Sequence, residues 1–325
     1  MLILNPNPCI DVTIWVKELV RGSVHRAIEN KATAGGKGIN VARACQTMGL
    51  NPHLYLTLPD SEGPFYKELL DSEGHDVQYL SVPGEVRKSI IVNEESSSAI
   101  TILNGAGPTI STSDWEKYCK NASTKVSPGE LVLMMGSLPK GHPDSALDQL
   151  AIEIRSVGGL LLVDTSPATF VSRKNQILDF ISPNLEEAEA IIENKLGDLF
   201  IPDNKDVEKR ALAAAEKLFN KVAKNVIVTA GAQGCAFKNE DEHFWLPAYK
   251  IDSDKYKSAV GAGDSFVAGF AMNYEKNTKE PSQKINWKSA IKYGMATAAA
   301  SCETYRAGGF EKKRVLGILG SDAGE

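Results

Sequence analysis

The chain of 325 residues reads as an α/β protein with a mainly parallel sheet covered by helices on both faces. Two observations predict that class. Short runs that are apolar throughout alternate with longer amphipathic stretches: a strand buried on both faces needs the first kind of sequence, and a helix lying on it needs the second. Glycine-rich or polar turns stand directly after several apolar runs, where strands give way to helices.

In order along the chain, the strand candidates are 2–4, 53–58, 131–135, 160–163, 180–181 and 226–229. The helix candidates are 39–48, 64–72, 144–156, 185–194, 207–220, 265–275 and 287–302. Two segments break the rhythm. Residues 12–26 read as extended, and RKSIIVN and SAITIL, separated by the polar turn at 94–98, read as a hairpin. A small β-flap, built from about 12–27 and 86–104, is expected to stand off the main sheet. With no repeat, long linker or low-complexity tract, residues 1–325 are expected to form one domain carrying that flap.

A formal net charge of -5 argues against a broad nucleic-acid surface, because phosphates demand a basic field. Any anionic ligand must therefore be held by local cations. The five cysteines, Cys9, Cys45, Cys119, Cys235 and Cys302, are odd in number and widely spaced. They are expected to be free thiols in a reducing compartment. The N-terminus lacks a basic segment ahead of its apolar residues, and no apolar run is long enough to span a bilayer. A cytoplasmic protein with no membrane or nucleic-acid partner is the expectation.

The chemistry-bearing motifs are turns. In VGAGDS, Gly261 and Gly263 allow successive N–H groups to point at one spot, and the positive end of the following helix adds to that field. That suits a phosphate. Asp264 follows at once and has two readings, an N-cap or a base for a hydroxyl held in the turn. The helix end is expected to hold its carboxyl low, which phosphoryl transfer through a loose transition state tolerates. AGGKGIN (34–40) could cradle a polyol with Asn40 and Lys37, or be a tight turn with a solvated lysine. It is no Walker A loop, since glycine follows Lys37. No G-x-G-x-x-G is completed either, since Ile110 and Phe266 stand at the third glycine's place.

Weaker pieces stand at comparable places. Asp11 follows NPNPCI; Arg87 opens a flap strand; Ser137 lies in GSLP after an apolar run. Asn184 and Glu187 have the spacing of a capping box. TAGAQG (229–234) is a turn after another strand. Each has an ordinary structural use, but together they line the carboxyl edge of the sheet, where open α/β folds bind ligands.

Taken in order, NPNPCID, AGGKGIN, the Arg87 strand, GSLPKG, SPNLEEAE, VIVTAGAQG and VGAGDSFVAGF resemble the ribokinase-like (PfkB) carbohydrate kinases nearly end to end. The resemblance implies a three-layer α/β/α sandwich with a β-lid over the sugar. It implies Asp264 as base, with Gly261, Ala262 and Gly263 forming the anion hole. Asp11, Gly36 and Asn40 would hold the sugar, and Thr229, Gly231 and Gly234 would lie against the nucleotide with Asn184 and Gly263. Asn184 and Glu187 would organise Mg2+ through water, with ATP as donor. Lysine in GGKG, Arg87 and the GSLP serine resemble the sugar-phosphate branch, so that Arg26, Lys37, Arg87 and Ser137 would bind the substrate's phosphate. Within it the pattern is most similar to the 1-phosphofructokinases, then to the tagatose-6-phosphate kinases. Lid strands in this family often pair between subunits, which implies a homodimer.

Overall fold

The computed structural model describes residues 1–97, 99–171, 177–195, 204–278 and 285–321. Among these, a nine-stranded sheet forms the centre. Third from one edge is β1 (Leu2–Asn5), parallel to β4 (His53–Pro59) on one side and β8 (Leu131–Met135) on the other. Beyond β4 lies β5 (Asp76–Val82). Beyond β8 come β9 (Leu160–Asp164), β10 (Leu178–Ile181) and β11 (Ala223–Thr229), all still parallel. An antiparallel pair, β12 (Gly234–Lys238) and β13 (His243–Pro247), closes that edge.

The apolar strands alternate between two cores. Leu2, Leu4, Val132, Met134, Leu161 and Val163 face α3 (Thr112–Ser123), α4 (Ala146–Ser156), α5 (Pro167–Val171), α6 (Leu185–Glu193) and α7 (Val207–Leu218). Ile3, Leu54, Leu56, Leu131, Leu133 and Leu162 face α1 (Lys37–Thr47), α2 (Gly63–Ser72), α8 (Ala262–Thr278) and α9 (Trp287–Ser301). Side chains alternate along a strand, so a run that is apolar throughout fills both layers, and the fold is the three-layer α/β/α sandwich. Aromatic clusters mark each layer: Tyr55, Trp115 and Tyr118 stack on one face; on the other, Phe237, Phe270, Tyr274 and Trp287 stack and Phe180 meets Phe270 edge-on. A last helix, α10 (Lys312–Ser321), packs on α9.

A second, four-stranded sheet runs in the order β3 (Glu29–Gly35), β2 (Cys9–Val16), β6 (Arg87–Glu94), β7 (Ile100–Asn104). Its N-terminal pair uses Glu29–Gly35 as the second strand, while residues 17–28 are irregular. The charged and small residues of ENKATAG hide that strand from a pattern reading. For a similar reason β5, a largely exposed edge strand, and the polar helix α3 do not stand out in the sequence. Among the described residues no helix is long and apolar enough to cross a membrane. The five cysteines are all buried free thiols.

Candidate active site

The parallel strands end on one edge of the sheet, and the motif residues sit in the turns that leave it. Asp264 lies in the first turn of α8 and is 6% exposed. It is therefore a residue inside the helix rather than its N-cap. Its Oδ2 accepts a 2.8 Å hydrogen bond from Asn40 Nδ2 of α1. Burial pushes its carboxyl up, from the ordinary 3.8 to about 7, with Asp164 and Asp11 adding to the push and Lys37 and Asn40 opposing it. The expectation of a carboxyl held low is thus overturned: leaving water costs the anion more than the helix end returns. Gly261 takes φ 77°, and a side chain there would strike Ala307 at 2.6 Å. A side chain on Gly263 would meet nothing within 4 Å, so that part of the turn faces open space.

Lys37 points along the edge to Asp164 at the end of β9, its Nζ donating to Oδ1 at 2.5 Å. Withdrawal from water pulls its ammonium down, but Asp164, Glu187 and Asp264 together raise it well above the usual lysine range. Asp164 is buried and escaped the sequence reading, although the VDTS run after an apolar strand marked it. Asn184 caps α6. It accepts from Glu187 N at 2.8 Å, and Glu187 Oε2 accepts from Asn184 N at 2.9 Å, a complete capping box. Burial raises the Glu187 carboxyl, against the pull of Lys37 and with Asp164. Thr229 bridges to Asn184 across the sheet edge, and the turn after it carries Gly231 at φ 52° and Gly234 at φ 150°.

Asp11 projects from β2, and its partner across the strands, Thr33, leads into Gly35. A side chain on Gly35 would overlap the Asp11 carboxyl at 2.2 Å, so this glycine rather than Gly36 makes room for the acid. Gly36, at φ 109°, lets the loop lie on Asn5. Burial raises the Asp11 carboxyl, while the Cys9 thiol, donating at 3.1 Å, and the arginines Arg43 and Arg87 lower it. Arg87 and Ser137 are joined by Asn7: Arg87 Nε donates to its carbonyl at 3.1 Å, and its Nδ2 donates to Ser137 Oγ at 2.9 Å. Asn7 lay within the quoted NPNPCID without being singled out. Arg26 stands apart on the exposed 17–28 loop.

A cavity of about 470 Å³ separates the second sheet from the body, with Asp11, Thr13, Asn40, Arg43, Ser258 and Arg306 in its walls. A shallow depression of about 630 Å³ around His243, Phe244 and Lys288 holds none of these motif residues and lies at the β12–β13 edge. The first is the candidate site, since Asp11 and Asn40 line it. Asn40 in its wall grips the Asp264 carboxylate, and Val260 and Ala307, also in its wall, adjoin the glycine turn at the start of α8.

The chain is similar to known kinases over most of its length. The 1-phosphofructokinase of Borreliella burgdorferi is 27% identical over 303 residues, which cover 92% of this chain and 90% of the relative. The tagatose-6-phosphate kinase of Staphylococcus epidermidis is 26% identical, covering 88% and 89%. Phosphofructokinase-2 from Escherichia coli in complex with potassium superposes with a TM-score of 0.83 at 20% identity, covering 99% of both chains. The sequence profile described as pfkB family carbohydrate kinase matches residues 6–314. With that match and a fold to agree, the chain belongs to the pfkB family of carbohydrate kinases, enzymes that transfer a phosphoryl group.

Proposed function

We propose that this enzyme phosphorylates a ketohexose phosphate, converting fructose 1-phosphate to fructose 1,6-bisphosphate with ATP as donor and Mg2+ as the accompanying ion. The carrying observation is the Asp264–Asn40 pair next to the Gly261–Gly263 turn, which is open at Gly263. Asp264 takes the proton from the attacking hydroxyl as that oxygen bonds to the terminal phosphorus and the bridging oxygen leaves with ADP. A carboxyl near pH 7 is a stronger base than an ordinary aspartate, which favours proton removal at neutral pH. The Gly261, Ala262 and Gly263 amides receive the moving charge at the start of α8.

The residues fit both partners. Gly263 opens onto free space where a phosphoryl group needs close backbone approach. The capping box occupies Asn184 Oδ1 and Glu187 Oε2, so the other Glu187 oxygen is the one to reach a hydrated Mg2+, which keeps several of its waters. Bound there, the ion would neutralise donor phosphates. Thr229, Gly231 and Gly234 form the adjoining wall for the nucleotide. Asp11, Gly36 and Asn40 hold the sugar. Arg87 and Ser137, gathered by Asn7, take the phosphate it already carries, with Lys37 supplying charge nearby. Arg26 joins them only if the 17–28 loop folds over the cleft. One domain spans the chain, with the second sheet as its lid. Two copies are proposed to pair through that sheet, whose strand β7 leaves Leu103 60% exposed and whose β2–β3 connection leaves Val24 95% exposed.

ADP release measured over fructose 1-phosphate, tagatose 6-phosphate and fructose 6-phosphate tests the reading. Fructose 1-phosphate should give the highest kcat/KM; preference for tagatose 6-phosphate would favour the activity of the Staphylococcus relative. Turnover confined to neutral sugars would reject the branch. Arg87→Ala should cost about 10- to 100-fold in kcat/KM, the worth of one charge-assisted hydrogen bond.

A further inference from the structure

Asn40 holds the carboxylate of Asp264, yet an asparagine amide has two ends of nearly the same shape. Turned one way, its NH2 group donates to the carboxylate; turned the other way, its oxygen faces the carboxylate and repels it. Something must decide which. Arg43 lies one helical turn along α1, and its Nη1 donates to Asn40 Oδ1 at 2.9 Å. A guanidinium can only donate, so the end of the amide that it binds must be the oxygen, and the NH2 end is left for Asp264.

Arg43 is itself immobilised. Its Nε and Nη2 donate to Glu73 Oε2 and Oε1 at 2.6 and 2.8 Å, a two-pronged pair, and Nη2 also donates to the carbonyl of Ala34. The pair is nearly closed to solvent, the two side chains being 7% and 11% exposed. Glu73 stands at the C-terminal end of α2 and is further held by His75 at 3.2 Å and Arg306 at 3.0 Å. Burial pushes its carboxyl up, but the bonds from His75 and Arg43 and the charges of Arg43 and Arg306 hold it well below the usual range. The loop that carries Arg306 continues into Ala307 and Gly308, which pack against Gly261 and against the carbonyl of Asn40. The network thus ties α2, β3, α1 and the support of the glycine turn to one amide.

We propose that Arg43, locked by Glu73, is a positioning residue that sets the orientation of the Asn40 amide and so keeps its NH2 group on the general base. Stability alone gives little reason for such a network, because a nearly buried ion pair gains little over apolar residues of the same volume. Orientation does give one. The charged and titratable groups facing Asp264 are Lys37 from α1, Asp164 from β9 and Asp11 from β2; Arg43 acts on it through Asn40.

The inference rests on Asp264 being the base of the proposed reaction, and its test separates the two. Arg43→Met, Arg43→Lys and Glu73→Gln are compared with the unaltered full chain in two measurements. The first is turnover against pH with whichever sugar phosphate the unaltered enzyme accepts. The second is the carboxyl 13C titration of Asp264 in the ligand-free protein, identified by its loss in Asp264→Asn. With Arg43→Met the amide is free to turn. The expected result is a fall in kcat of about tenfold or more, part of the roughly 10²–10⁴ that a positioned base contributes. KM should change less, and both the acid limb of the rate profile and the Asp264 titration should move to higher pH. Arg43→Lys, which restores charge and donor without the fork, should recover part of the loss, and Glu73→Gln should shift both in the same direction by less. A folded Arg43→Met protein with unchanged acid limb and titration overturns the proposal. Should that variant not fold, unchanged titrations in both Arg43→Lys and Glu73→Gln overturn it equally. If the unaltered enzyme turns over no sugar phosphate, the functional reading falls while the titration still decides the role of Arg43.

Discussion

The surroundings of Asp264, the base in the proposed reaction, oppose each other. Six per cent exposure and two nearby carboxyls raise its proton affinity, while Lys37 and the Asn40 amide keep the anion within reach. With a carboxyl near 7, turnover should climb with pH on the acid side and level off above neutrality. Asp264→Asn should lose about two to four orders of magnitude in kcat without losing sugar binding; near-normal turnover would remove Asp264 from the mechanism. Stability carries the same signature. A carboxyl whose folded value lies above its unfolded one contributes stability that is full below about 3.8 and is lost as pH rises through about 7. Asp264→Asn should therefore raise the melting temperature more at pH 8 than at pH 5, and equal changes at both would contradict the raised carboxyl.

Among the elements, helix starts do most of the positioning. Gly261 and the start of α8 supply the amides of the proposed anion hole, the first residues of α1 supply Lys37 and Asn40, and the start of α6 brings Glu187 to Lys37 and Asp164. At α6 the capping box is what the geometry shows, and the proposed metal role rests on it. Asn184 and Glu187 satisfy each other's backbone N–H groups, and that reciprocal pair is also what fixes Glu187 in place. Asn184→Ala should then cost about 1 kcal/mol in denaturant unfolding, the usual worth of a cap. It should also raise the Mg2+ concentration needed for half-maximal turnover. Loss of stability with no change in metal requirement would leave the motif a cap alone.

For the whole molecule, the main nine-stranded sheet is a platform and the four-stranded sheet stands beside it. The body buries both faces of its strands, whereas the second sheet keeps Ile102 and Leu103 exposed and the 17–28 segment beside it exposes Val24 and Ile28. Proteins limit such patches when nothing covers them. Light scattering on the purified chain should give twice the monomer mass, and Leu103→Asp should shift it towards the monomer. A monomer at micromolar concentration in the unaltered protein would end the pairing proposal.

The central sheet was legible in the sequence because two-sided burial leaves uninterrupted apolar runs, and β1, β4, β8, β9 and β11 carry them. The motif residues were legible because phosphate chemistry needs glycine at turns and acids at helix starts. The strand ENKATAG and the edge strand β5 were not, since a half-exposed strand has no such run. The sequence by itself determined the class of fold, and it marked the carboxylate and the glycine turn on which the proposed reaction depends, which are properties of short segments. Only the tertiary structure decided that Asp264 titrates high, that Lys37 leans on Asp164, and that Gly35 makes way for Asp11. It also decided that Arg43 and Glu73 stand behind Asn40. Those are consequences of distance and solvent exclusion between residues far apart in the chain, and no local pattern encodes them.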